Sequence, residues 1–202
     1  MKELFVINIG RQLGSGGRTV GEIIARRLGV KLYDKELINL AARESGICPE
    51  FFEKADEKES RGVISTVVGY LRAPFVGDDG GVTNVLSNDA LFKIQSDVIR
   101  AVAARESAVF VGRCADFVLG DDPRLVRIFC CTDPDDARRR CVAEYGIAES
   151  EADAEIRRVN RNRRTHYEYY TGERWGDPHR YDLVVDTGRM TLEGACEAVA
   201  AL

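Results

Sequence analysis

The sequence predicts an α/β protein, a parallel sheet covered by helices on both faces. Three observations lead there. Short apolar runs alternate with segments of helical periodicity along the chain. The runs Ala108–Val111 and Leu125–Cys131 are almost continuously apolar, as strands buried on both faces are. The first apolar run passes through a glycine-dense turn directly into an amphipathic helical pattern.

Taken in order, Leu4–Ile9 reads as the first strand. Val20, Ile23, Ile24 and Leu28 then recur at helical spacing, and Gly29 ends that helix. Val30–Tyr33 is a short second strand closing at Asp34, and Leu37, Ile38, Leu40 and Ala41 begin another helix. Between Pro49 and Asn88 the pattern weakens: Glu50–Arg61 is highly charged and 77–81 is a Gly/Asp tip, so an inserted mobile subdomain is expected there. Helical order returns with Leu91, Ile94, Val98 and Val102. Strands at Ala108–Val111, Leu125–Cys131 and Leu183–Val185 follow. They are interleaved with a helix capped by Thr132 or Asp133, a long helix over Glu151–Tyr170, and a last helix marked by Leu192, Ala195 and Val199. Asp34, Arg113 and the glycine turn all fall at strand C-termini, where ligands bind in such sheets.

Composition narrows the function. A chain of 202 residues fits a single α/β domain, and a hydrophobic fraction of 45% suits a soluble globule. The formal net charge of −4 speaks against a protein built to hold nucleic-acid backbones. No apolar run is long enough for a bilayer, and Leu4–Ile7 lacks the longer core and cleavage site of a signal peptide. Six scattered cysteines without a C-x-x-C pair, beside two histidines, indicate neither a zinc site nor a disulfide framework; a reducing cytoplasm is the expected setting.

The turn, Gly10-Arg11-Gln12-Leu13-Gly14-Ser15-Gly16-Gly17-Arg18-Thr19, is phosphate-sized. Glycines let backbone N–H groups approach an anion, and the following helix offers its positive end to the same point. The common pattern G-x-x-x-x-G-K-[ST] is not met, for the stretch contains no lysine. One register puts Gly17 where the lysine belongs. The other makes Arg18 the cation and Thr19 the magnesium-facing hydroxyl at the cost of an insertion, and the chemistry of the loop favours it.

A second cationic feature lies downstream. Arg157, Arg158, Arg161, Arg163 and Arg164 crowd one stretch of the long helix with no acidic residue between them. Arg157, Arg161 and Arg164 share one face, while Arg163 falls among Ile156, Val159, Tyr167 and Tyr170. A charge on an apolar arc needs a partner, and a phosphate suits the guanidinium fork.

Several blocks together resemble the cytidylate-kinase-like proteins, a branch of the P-loop nucleoside monophosphate kinases. They are Gly10–Gly21, Tyr33–Ile38, Val109–Asp116, Tyr169–Gly172 with Trp175–Asp177, and Tyr181–Leu183 through Asp186-Thr187. Cytidylate kinases carry a loop lysine and Gly-Arg-Asp after the third strand; here the lysine is missing and Cys114 follows Gly112-Arg113.

The resemblance implies a three-layer P-loop fold over 1–202, with a five-stranded parallel sheet of order 2-3-1-4-5. It also implies an inserted helical acceptor-binding region at 35–105 and a lid at 146–178. Arg11, Gly14, Ser15, Gly16, Gly17, Arg18 and Thr19 would hold the phosphates of ATP, with Thr19 at Mg²⁺. Asp34, Lys35, Arg113 and Asp116 would meet the acceptor, and Arg18, Arg161, Arg163 and Arg164 would be catalytic. The expected activity is phosphoryl transfer from ATP to a nucleoside monophosphate, CMP or dCMP first, without nucleic-acid or membrane partners. A kinase of another small phosphorylated acceptor, or a nucleotide-binding regulator lacking kinase activity, are the alternatives.

Overall fold

The computed structural model describes residues 4–34 and 82–201, with side chains at 4–34, 89–199 and 201. Among the described residues five strands form one sheet: β1 (Val6–Arg11), β2 (Lys31–Tyr33), β3 (Ala108–Val111), β4 (Leu125–Cys131) and β5 (Leu183–Asp186). Their order is β2-β3-β1-β4-β5, and every pairing is parallel. The α-helices among the described residues are α1 (Gly17–Leu28), α2 (Val82–Ala103), α3 (Ala115–Leu119), α4 (Pro134–Tyr145), α5 (Glu149–Thr171) and α6 (Leu192–Ala200). Lys35 and most of the expected insertion at 35–105 lie outside the described residues; its end is α2, which starts at Val82, ahead of the periodic set that marks it in the sequence. The expected lid at 146–178 holds α5 and the turn that follows.

Strand alternation splits the core in two. Val6 and Phe110 face one side of the sheet, where Ile94, Val98 and Ile99 of α2 and Val118 of α3 cover them. Ile7, Ile9 and Val109 face the other side, against Val20 and Ile24 of α1 and Ala195, Cys196 and Val199 of α6. This two-sided burial is why the central strands read as unbroken apolar runs. The described cysteines are free, and four of the five are buried. No described helix is long and apolar enough to cross a membrane.

β1 runs to Arg11, beyond Ile9, because its pairing with β4 continues through Gly10↔Phe129 and Arg11↔Cys130. Glycine is required at 10 for space: a Cβ there would stand 2.8 Å from the Phe129 ring.

Asp133 caps α4, its Oδ1 accepting from the N–H groups of Asp135 and Asp136 at 3.0 Å each, with Pro134 opening the helix. Asp133→Ala therefore lowers stability by about 1 kcal/mol. A urea titration checks it: the midpoint falls while the slope stays constant.

Candidate active site

The turn after β1 is a built anion cradle. Gly16 caps α1 in the left-handed conformation, φ 67°, and Ser15 Oγ accepts from Gly17 N–H at 3.4 Å. The N–H groups of Gly14, Gly16, Arg18 and Thr19 have no acceptor among the described residues. Such open donors at a helix start, joined to the helix dipole, are what binds phosphate. Gly14–Gly17 are buried from behind, where a Cβ on Gly14 would strike the Ala137 backbone of α4.

Residues beyond the loop fix its peptide planes. Arg140 of α4 donates through Nη1 to Gly14 O (3.1 Å) and Thr187 Oγ1 (2.8 Å), and through Nη2 to Thr187 O (2.8 Å). The Thr187 hydroxyl donates to Ser15 O at 2.7 Å. Ser15 Oγ donates to Gln12 O at 2.8 Å, and Leu13 N–H donates to Asn160 Oδ1 of α5 at 2.8 Å. The sequence pointed to none of Arg140, Thr187 and Asn160 as loop supports. Arg140 belongs to the triplet 138–140 and Thr187 to the block after β5, but only the fold brings either to the loop. Arg140→Ala unpins Gly14 O and both Thr187 contacts. Affinity for a phosphate-bearing ligand of the loop is then expected to fall about tenfold, the value of one to two hydrogen bonds; binding titrations of the wild type and the variant check this.

At the strand ends three guanidinium groups converge. Arg11 closes β1, Arg113 follows β3, and Arg163 comes down from α5, its Nη1 donating to Arg11 O at 2.9 Å. Each keeps part of its surface open, yet burial is the leading influence that pulls each guanidinium below its usual pKa. Arg163 falls to about 10. For Arg11 the next influences are the positive charges of Arg163 and Arg113, with Asp34 opposing them. Among the described residues none of the three makes an ion pair with a carboxylate. Like charges gathered largely out of water, with no ion-paired carboxylate among the described residues, suit an anion.

The backbone that carries Arg113 is strained. Gly112, Arg113 and Cys114 are successively left-handed, with φ of 72°, 60° and 53°. For the two residues with side chains this costs about 1–2 kcal/mol each, and strain of this kind gathers at functional sites.

The remaining sequence-derived residues are placed as follows. Arg18 turns away from the cradle toward Glu22 (3.2 Å) and Asp34 (3.1 Å), with 58% of its side chain exposed. Asp34 is buried at the end of β2, and Thr19 lies in the first turn of α1. Asp116, in α3, is buried and accepts from Tyr167 Oη at 2.9 Å; burial raises its carboxyl pKa. Arg161 and Arg164 are exposed on α5, apart from the inward Arg163. Arg138 pairs with Asp135 and Asp153.

A parallel sheet of this order, with a glycine loop feeding a helix, is the P-loop fold. Residues 6–189 match the model of the cytidylate kinase-like family, and the chain belongs to that family. Among solved structures, an uncharacterized protein from Eubacterium ventriosum aligns at 24% identity and TM-score 0.72, covering 98% of this chain and 96% of the other. TT1252 from Thermus thermophilus aligns at 20% identity and TM-score 0.57, covering 99% and 98%. Shikimate kinase from Bacteroides thetaiotaomicron aligns at 15% and TM-score 0.53, covering 98% of each chain. These likenesses concern the fold. No curated protein matches the chain.

Proposed function

We propose that this protein transfers the terminal phosphoryl group of ATP to a nucleoside monophosphate, with CMP and dCMP the first acceptors to assay. The observation that carries this reading is the cluster of Arg11, Arg113 and Arg163, unpaired with any described carboxylate, beside the open N–H groups of the loop. Membership of the cytidylate kinase-like family supports it.

The acceptor is already an anionic phosphate oxygen, so the reaction needs no covalent intermediate and no strong base. What it needs is in-line placement and cancellation of charge on the migrating group. The loop amides hold the donor phosphates, Arg113 pairs with the acceptor phosphate, and Arg163 bridges the two from the lid helix. Closure of α5 over the site excludes water, the competing acceptor. Thr19, in the first turn of α1, would offer its hydroxyl to a metal that arrives with the nucleotide. Mg²⁺ bound there would neutralise charge shared between phosphates.

The test is ADP formation from Mg·ATP across all nucleoside monophosphates and a set of non-nucleotide phosphorylated acceptors. Turnover with CMP or dCMP is expected. Turnover with a non-nucleotide acceptor alone would move the substrate class, and ATP binding without ADP formation on any acceptor would leave a nucleotide-binding regulator.

A further inference from the structure

We infer that Arg11 is the cation that holds the β- and γ-phosphates in this loop, occupying the space from which a loop lysine would otherwise act. The inference rests on the phosphoryl-transfer reading for its catalytic part and on packing for the rest.

The packing is an exclusion between two positions. A Cβ added at Gly17, the position of the lysine in the ungapped register, would lie 2.6 Å from Arg11 Cβ, 3.0 Å from Cys130 Cβ and 3.2 Å from Arg11 Cγ. A side chain at 11 and one at 17 thus compete for one volume. With arginine at 11, glycine is forced at 17, and the missing lysine follows from packing rather than from loss of a cation. Gly112 supports the same assignment: a Cβ there would fall on Arg11 Nη1, so that residue is kept bare where the guanidinium passes. The stem of Arg11 therefore runs below the first turn of α1, and its head lies in electrostatic reach of Arg113, Arg163 and Asp34. That is the junction between the loop and the strand ends. Arg18, the other arginine within the 10–19 turn, is engaged with Asp34 and Glu22, and Arg140 is engaged with Gly14 O and Thr187.

Because guanidinium is a planar fork and ammonium a point charge, Arg11 can bond two phosphate oxygens at once. Its reach also differs: it approaches from the end of a strand, not from the helix.

The experiment compares the wild type with Arg11→Gln, Arg11→Gly, Gly17→Lys and the double variant Arg11→Gly/Gly17→Lys. Each is read by turnover and by the ratio of ATP to ADP affinity, with circular dichroism to verify folding. Arg11→Gln and Arg11→Gly are expected to lose about 10²–10³-fold in kcat, the range for an oriented charge at a transition state. Both also lose the preference for ATP over ADP. Gly17→Lys alone fails through the clash, and the double variant regains at least about tenfold over Arg11→Gly, because loss of Arg11 Cβ and Cγ removes the 2.6 and 3.2 Å contacts and leaves the 3.0 Å approach to Cys130 Cβ for the lysine stem to relieve.

If Arg11→Gln keeps both turnover and the ATP preference, Arg11 is removed and the transferase reading stands. Should the wild type transfer nothing yet prefer ATP through Arg11, the cation assignment stands and the transferase reading fails. A Gly17→Lys variant as active as the wild type, or a folded double variant no better than Arg11→Gly, overturns the exclusion.

Discussion

Arg163→Ala lowers kcat by about 10²–10³-fold while the protein stays folded. The argument starts from position: Arg163 sits on an otherwise apolar arc of α5 and is tied to β1 by one bond to Arg11 O. Removing it forfeits that bond, worth about 1 kcal/mol. It also relieves the cost of a third buried positive charge beside Arg11 and Arg113, so the two effects on stability oppose each other. In a reacting complex the balance changes. Under the proposed transfer, the phosphoryl group would supply a counter-charge that no described carboxylate gives Arg163 by ion pairing, and an oriented donor in a dry site would stabilise its developing charge by about 3–4 kcal/mol. Steady-state rates at saturating ATP and acceptor, with a thermal melt of the same samples, separate the two. Near-normal kcat removes Arg163 from the reaction, and a collapse of the melt reassigns it to the fold. Arg163→Lys keeps a charge without the fork and falls between.

The second large effect has opposite signs in stability and function. Arg113→Gly raises the acceptor KM by about 10²-fold, the loss expected when one partner of a desolvated, charge-assisted contact is removed. In the same variant the melting temperature of the free protein rises. Glycine adopts φ near 60° without the Cβ clash, recovering about 1 kcal/mol or more, and the buried charge is gone. For a domain of this size that is about 2–4 °C. Melting curves without ligand and acceptor titrations at fixed ATP measure the pair. A lower melting temperature would mean that Arg113 is held for stability.

Much of the fold is legible in the sequence because burial on both faces leaves a simple record. β3 and β4 appear at the bounds their apolar runs give, and of the two cap candidates the sequence offers, Thr132 and Asp133, the structure uses Asp133. The end of β1 is less visible: Gly10 and Arg11 look like loop, yet pairing with β4 carries the strand through both. α3 escapes notice because five residues after a left-handed turn leave no period to detect.

In the site, the inward direction of Arg163 follows from helical phase, and the structure places it there. Arg161 and Arg164 share its helix but not its face. The orientation of Arg18 depends on Asp34, a neighbour across the fold, and the volume shared by positions 11 and 17 depends on a strand and a helix meeting at an angle. Spacing along the chain records neither. The same holds for Arg140 and Thr187, which reach the loop from 126 and 172 residues away.

Those two supports have a thermodynamic corollary. The Gly14 carbonyl is tethered by Arg140 while the amide of the same peptide unit, Ser15 N–H, is engaged by Gln12 O; the tether on the Ser15 carbonyl fixes the next unit, so the open Gly16 amide is oriented before any ligand arrives. The ordering entropy of the nest is charged to folding and not to each encounter. Calorimetry of nucleotide uptake should accordingly register a smaller entropic penalty in the native chain than in a Thr187→Val counterpart, whose loop must settle anew with every molecule bound.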